Sequence, residues 1–149
     1  IMYGLKINEP YATLIARGIK TTETRRYRPP SYLYGRLIAL IARAHEGTSI
    51  VGVARLEESV LYANAKAFRR DYENHCVPAG SVYDYNIPSN SDERKYGWVF
   101  TDAVAFREHV PAPKTGGRIW VKDVQLQQKQ LVDSLMQVAV DTQDFVRNL

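Results

Sequence analysis

The sequence predicts a mixed α+β fold, on three observations. Short apolar stretches with strand-like alternation recur, as at Tyr3 to Ile7 and Tyr96 to Phe106. Helix-like stretches fall between them, from Asn8 to Gly18 and from Ala63 to Asn74. From Gln125 onward, helix formers and polar residues take over. With 45% hydrophobic and 24% charged residues, the 149-residue chain fits one globular domain with a core of its own. Residues 1–124 form that domain in this reading, and 125–149 are a helix packed on it.

In the first strand, Tyr3, Leu5 and Ile7 alternate with Gly4 and Lys6. Asn8 then reads as a helix cap, with Pro10 in the first turn, an apolar face of Tyr11, Leu14 and Ile15, and Gly18 as the left-handed end. Thr21, Thr22 and Thr24 are β-branched, so the chain after Lys20 is expected to be extended. Prolines 29 and 30 with Gly35 make 26–36 a loop, interleaving Arg26, Arg28 and Arg36 with Tyr27, Tyr32 and Tyr34. Leu37–Ala42 and Ile50–Leu56 read as a hairpin, with Gly52 marking a bulge or bend. The helix over 63–74 carries Ala65, Phe68 and Tyr72 on one stripe.

Residues 78–95 are a long loop, read either as a cover for the motif below or as a self-packed decoration. The strand Tyr96–Phe106 is expected to bulge near Asp102, and Ile119–Val124 to be the closing strand. Between them, Pro111, Pro113, Gly116 and Gly117 make a loop that carries Lys114 and Arg118. Leu131, Leu135, Val138, Thr142, Phe145 and Leu149 form the apolar stripe of the last helix, for which packing on the domain is preferred to self-association.

Chemistry concentrates in Arg17-Gly-Ile-Lys-Thr-Thr-Glu-Thr-Arg25 and the Arg26-Tyr-Arg28 behind it. Strand alternation places Glu23 and Arg25 on one face and Thr22 and Thr24 on the other, with Lys20 on the turn before them. Such a group either grips a phosphate or a polar base edge, or is an internal ion pair that pins a strand end.

Charge bears on the choice. Through Arg55 there are nine basic residues against three acidic ones, in a chain of net charge +4. Basic charge supplied mainly by arginine fits either a polyanion-facing surface or general solubility. Arginines interleaved with tyrosines at 26–36 either hold single-stranded nucleic acid, whose bases stack on aromatic faces, or have their tyrosines packing the loop onto the domain, and the first is preferred for the loop as a whole.

The run Gly18-Ile-Lys-Thr-Thr-Glu-Thr-Arg25, preceded by Leu5-Lys-Ile-Asn-Glu-Pro-Tyr-Ala12, resembles the Gly-x-Lys-x-x-Glu-x-Arg signature of ASCH domains. Among these it is most similar to the endothelial-overexpressed, lipopolysaccharide-associated-factor type. The resemblance implies a small, mostly antiparallel β-barrel of PUA-like type, with five or six strands and helices outside. It also implies an RNA-related role, with a cleft beside the motif receiving single-stranded RNA or a nucleotide. The ligand-facing set is then Lys20, Thr22, Glu23, Arg25, Arg26, Tyr27, Arg28, Lys114 and Arg118.

Two further readings stand beside binding. One is an enzyme. Bacterial relatives that deacetylate acetylcytidine would map their lysine onto Lys20, but they carry a threonine where this chain has Glu23. A metal-independent ribonuclease would use Lys20, Glu23 and Tyr27 for proton transfer, with Arg25 stabilising charge at phosphorus. The other reading is a protein-interaction module.

The single cysteine, Cys76, excludes an intrachain disulfide, and its neighbour His75 does not mark it as activated. His45, His75 and His109 read as surface histidines, so neither metal nor cofactor is expected. Without a long apolar run or a leader-like N-terminus, a cytosolic, membrane-free and preferably monomeric protein is expected.

Overall fold

The computed structural model describes residues 1–149, apart from the side chains at positions 128, 131, 133, 137 and 138. Six strands form one sheet: β1 (Tyr3–Asn8), β2 (Thr22–Arg25), β3 (Leu37–Ala44), β4 (Gly47–Tyr62), β5 (Lys95–Pro111) and β6 (Trp120–Val121), in the order β2-β5-β4-β3-β1-β6. All neighbours are antiparallel except β1 and β3. Helices α1 (Tyr11–Ala16), α2 (Ala65–Arg70), α3 (Tyr72–His75) and α4 (Gln128–Arg147) complete the fold. No described helix is long and apolar enough to cross a membrane.

β3 is buried along most of its length because it serves two cores, which explains its unbroken run Leu-Ile-Ala-Leu-Ile-Ala. Ile38, Leu40 and Ala42 join Leu5, Ile7, Leu56, Trp98 and α1 on one face. Ala39 and Ile41 join Ile50, Val53, Phe106, Val121 and Val124 on the other. Gly52 is the expected bulge. Register slips beside it on both flanks, and an added Cβ would lie 2.4 Å from the Val104 carbonyl oxygen and 3.0 Å from Ala16 Cβ. Its hydrogen side chain lets α1 and β5 close on the strand. The irregularity expected near Asp102 is also present, with that residue at φ 53°.

The sheet corrects the expected closed barrel. Its edge strands β2 and β6 are four and two residues long and do not pair with each other. β6 is short because the chain turns away at Asp123, φ 63°, which also truncates the strand expected over 119–124. Side chains span the opening instead. Arg25 Nη2 donates to the Lys6 carbonyl at 3.0 Å, and Trp98 stacks on Trp120 at 5.7 Å between ring centres.

Three helix expectations change. The cap of α1 is not Asn8: the Glu9 carboxylate accepts from the backbone N–H of Thr13 at 2.9 Å and from its hydroxyl. The 63–74 helix breaks at Asp71, whose carboxylate is taken by the Tyr62 hydroxyl and by Asn74 Nδ2. Phe68 is buried, but Tyr72 leaves the expected stripe and is exposed. Near its start, α4 packs on β5 with Ser134 buried, while Leu135, Phe145 and Leu149 are exposed. Leu131 and Val138 of the expected stripe lie outside the described side chains.

Candidate nucleic-acid interface

The opening between β2 and the end of β1 is a pocket of about 300 Å³, at the lower end of small-molecule sites. Ile7 and Asn8 come from β1, Tyr11 from α1, and Glu23, Thr24 and Arg25 from β2. Arg26 and Tyr27 follow β2 at the rim; Arg43, Val77, Tyr83 and Lys95 complete the wall.

The motif residues meet as the strand period requires, but Lys20 is fixed rather than swinging on a turn. Gly18 at φ 72° ends α1, and the chain then drops Lys20 into the interior, where the residue is 1% exposed. Its ammonium donates to the His75 carbonyl, lies 3.6 Å from Glu23 Oε1 and sits 4.8 Å from the Tyr11 ring centre. Glu23 Oε2 accepts from Arg25 Nη2 at 2.9 Å, and Oε1 from the Thr24 amide at 3.3 Å. Arg25 also lies over Trp98. One carboxylate therefore serves two cations and an amide.

Burial pushes the Lys20 ammonium below its usual range, against a smaller opposing pull from Glu23. Lys95 is lowered by burial first and by Arg26 second. The Tyr11 hydroxyl is raised, chiefly by burial and then by Tyr83 and Glu23.

His75 is not at the surface. It is fully buried, stacks on Phe68 at 4.1 Å, and accepts the Val77 N–H at Nδ1, 2.9 Å. Its proton is thereby placed on Nε2, which donates to the Phe68 carbonyl at 2.6 Å. Burial lowers its basicity further. The backbone carbonyl of this histidine anchors Lys20, so the α3 turn supports the site from behind.

The long loop covers the motif and also packs on itself. The Asp84 carboxylate accepts from the Gly80 and Tyr85 amides, both at 2.7 Å, and from Arg69 at 3.0 Å. Arg69 first, and Gly80 next, hold it well below the usual carboxylate range. Thus pinned, the loop brings Tyr83 to the pocket, where its hydroxyl accepts from Asn8 Nδ2 at 2.8 Å and its ring meets Tyr11 edge-on.

The other expected site residues separate. Thr22 is buried under Gly97 and does not line the pocket, whereas Thr24 does. Arg26 pairs with Glu93 at 2.9 Å, and Arg28 stacks on Tyr96 beyond the rim. Lys114 and Arg118, on the loop before β6, are exposed and outside the pocket lining. The Arg/Tyr loop is not one platform either: Tyr32 packs on Tyr3, Tyr34 bonds Ser59, and Arg36 lies over Tyr3. No metal-binding group of three His, Cys, Asp or Glu residues occurs among the described residues.

Sequence reasoning missed Asn8, Tyr11, Arg43, Tyr83 and Lys95 as pocket residues. Asn8 and Tyr11 lie inside Leu5 to Ala12, the N-terminal part of the stretch that resembles the family signature, and that is the one signal for them.

The ASCH domain family model matches residues 5–110. The chain belongs to the ASCH domain family. No curated protein sequence matches it. The structure of the ASCH protein from Zymomonas mobilis aligns with this ASCH chain at a TM-score of 0.63 and 18% identity, covering 91% of this chain and 94% of that one. A serine-to-alanine mutant of that protein aligns at 0.61 and 18%, covering 91% and 95%; a tyrosine-to-phenylalanine mutant gives 0.60 and 17%, covering 91% and 96%. At that identity the likeness is one of fold.

Proposed function

We propose that this ASCH chain binds single-stranded RNA or a nucleotide in the pocket between β1 and β2, as the resemblance to the endothelial-overexpressed type also implies. One observation carries the reading: Lys20, Glu23 and Arg25 converge in a small pocket that has tyrosines 11, 27 and 83 in its wall and more cations than carboxylates. Aromatic faces suit an unpaired base, the cations suit phosphate, and the remaining lone pair of Glu23 suits a base N–H or a ribose hydroxyl. The ligand set is Lys20, Glu23, Arg25, Arg26 and Tyr27, with Arg28 beyond the rim on Tyr96.

Hydrolysis is a second reading, favoured by the lowered Lys20 ammonium beside a carboxylate. The neutral amine would take the proton of a ribose hydroxyl as its oxygen attacks phosphorus, and the departing oxygen would be protonated by a second acid such as Tyr27. Acetylcytidine-type hydrolysis would need Thr24 as the nucleophile, since no serine or cysteine lines the pocket. Binding is preferred because the Glu23 carboxylate is already held by three donors.

Titrating short single-stranded RNA and matched DNA over a range of salt, with product mass measured in each mixture, separates these readings. Binding whose affinity falls with salt, without product, supports recognition. Product that disappears in Lys20→Met establishes the enzyme. No binding by any nucleic acid refutes both and leaves a protein-interaction module.

A further inference from the structure

The charges of the pocket are unequally matched. Lys20 and Arg25 share the single carboxylate of Glu23, and Arg26 is paired with Glu93. Arg43 and Lys95 have no carboxylate within ion-pair distance among the described residues. Arg43 Nε donates only to Asn8 Oδ1, at 3.1 Å. Lys95 donates to the carbonyls of Tyr83, at 3.1 Å, and Asp84, at 3.5 Å, while the Asp84 carboxylate is occupied by Arg69. Positive charge is thus left over at one small cavity, and part of it is deeply placed, since Lys95 is only 6% exposed. A buried charge without a counter-charge is costly, so the ligand that satisfies this site best brings more than one negative charge.

Resting on the nucleotide-binding reading above, we infer that the pocket takes a terminal phosphomonoester, on a mononucleotide or at the end of a strand, with Arg43 and Lys95 as its counter-charges. An internal phosphodiester carries one negative charge; a monoester carries about −1.5 to −2 near neutral pH, with a second pKa of about 6. Arg43 offers a planar fork to the phosphate oxygens and Lys95 a compact point charge. The Asn8–Tyr83 contact orients Arg43 from one side, and the Asp84-pinned loop holds Lys95 from the other.

The test compares a short oligouridylate bearing a 5′-phosphate, a 3′-phosphate or neither, then uridine monophosphate against uridine, with inorganic phosphate as competitor. A terminal phosphate at either end should tighten binding about tenfold or more at about pH 7.5, and this advantage should shrink at about pH 5.5 as the monoester takes up its second proton. The groups facing the site are Tyr11, Lys20, Glu23, Arg25, Arg26, Tyr27, Arg43, Tyr83 and Lys95, with His75 behind, Glu93 on Arg26 and the Asp84 carboxylate on the loop beside Lys95. Protonating any of them on acidification would favour the anion, so the expected loss has the opposite sign and belongs to the phosphate. Arg43→Gln and Lys95→Met should each lower the ratio of phosphorylated to unphosphorylated affinity, and the exposed Lys66→Gln should leave it unchanged. A monoester gain confined to the mononucleotide, or shared by the strands, identifies which carries the group, and either supports the inference. Equal affinities with and without the terminal phosphate overturn it while the pocket reading stands. If no nucleotide, strand or phosphate binds, the reading beneath it fails as well.

Discussion

Replacing Glu23 by glutamine removes the one carboxylate between Lys20 and Arg25 and leaves two cations facing each other. Breaking a buried ion pair from one side costs about 3–5 kcal/mol. Arg25 retains 17% side-chain exposure and its bond to the Lys6 carbonyl, so the burden falls on Lys20 and the lower figure, about 3 kcal/mol, applies. For a chain of this length, that lowers the melting temperature by about 6–12 °C. The deficit also depends on pH. Lys20 already sits below its ordinary 10.5 in the folded chain, and losing Glu23 removes the main influence raising it. Between the folded and unfolded values the unfolded chain binds more protons, so stability rises with pH there, and the substitution extends that window downward. The Glu23→Gln deficit is therefore largest near neutrality and shrinks toward 10.5. Urea unfolding followed through Trp98 and Trp120 at several pH values measures it. A neutral-pH deficit below about 0.5 kcal/mol, or one that does not change with pH, would refute the assignment of Lys20 as a buried cation held by Glu23.

Gly52→Ala should destabilise by about 1–3 kcal/mol, because its Cβ meets backbone at Val104 and Ala105 that cannot rotate away; denaturant melts check this. Nitrogen-detected NMR should find His75 neutral, with its proton on Nε2, below the ordinary value of 6.5. Since its folded value is depressed, its stabilising effect is present above 6.5 and lost as pH falls below it. Asp84→Asn should increase hydrogen exchange at the Gly80 and Tyr85 amides and weaken ligand affinity, because the loop carrying Tyr83 loses its anchor. The same anchor in the native chain is fully present above 3.8 and is lost as acid protonates Asp84 below that value, so the protection of those amides relative to their intrinsic exchange rates should fall at low pH.

Much of the fold was legible because it rests on local rules. Alternation marked β1 and β5, Gly18 marked the end of α1, and Gly52 marked the bulge. The open sheet was not legible, because closure depends on how far β6 runs, and a single left-handed residue at Asp123 stops it. The Lys20/Glu23/Arg25 cluster followed from strand period, but the depth of Lys20 did not, since it requires the α3 turn to arrive from fifty-five residues away. Glu9 displaced Asn8 as the α1 cap for a local reason, its longer reach to Thr13, and this freed Asn8 for Arg43 and Tyr83. Arg43 counts in the sequence only among the basic residues up to Arg55, and Lys95 only as the last residue of the long loop; the tertiary arrangement alone shows them at one cavity.

Nucleotide binding at the opening between β1 and β2 is tested most directly by amide shift mapping of the labelled chain with a short single-stranded RNA. Perturbations are expected at residues 7–11, 20–27, 43, 83 and 95, greatly reduced in the double variant Lys20→Met/Arg25→Gln once its fold has been verified. Perturbations centred on Lys114 and Arg118 or on α4, with the pocket silent, would contradict it.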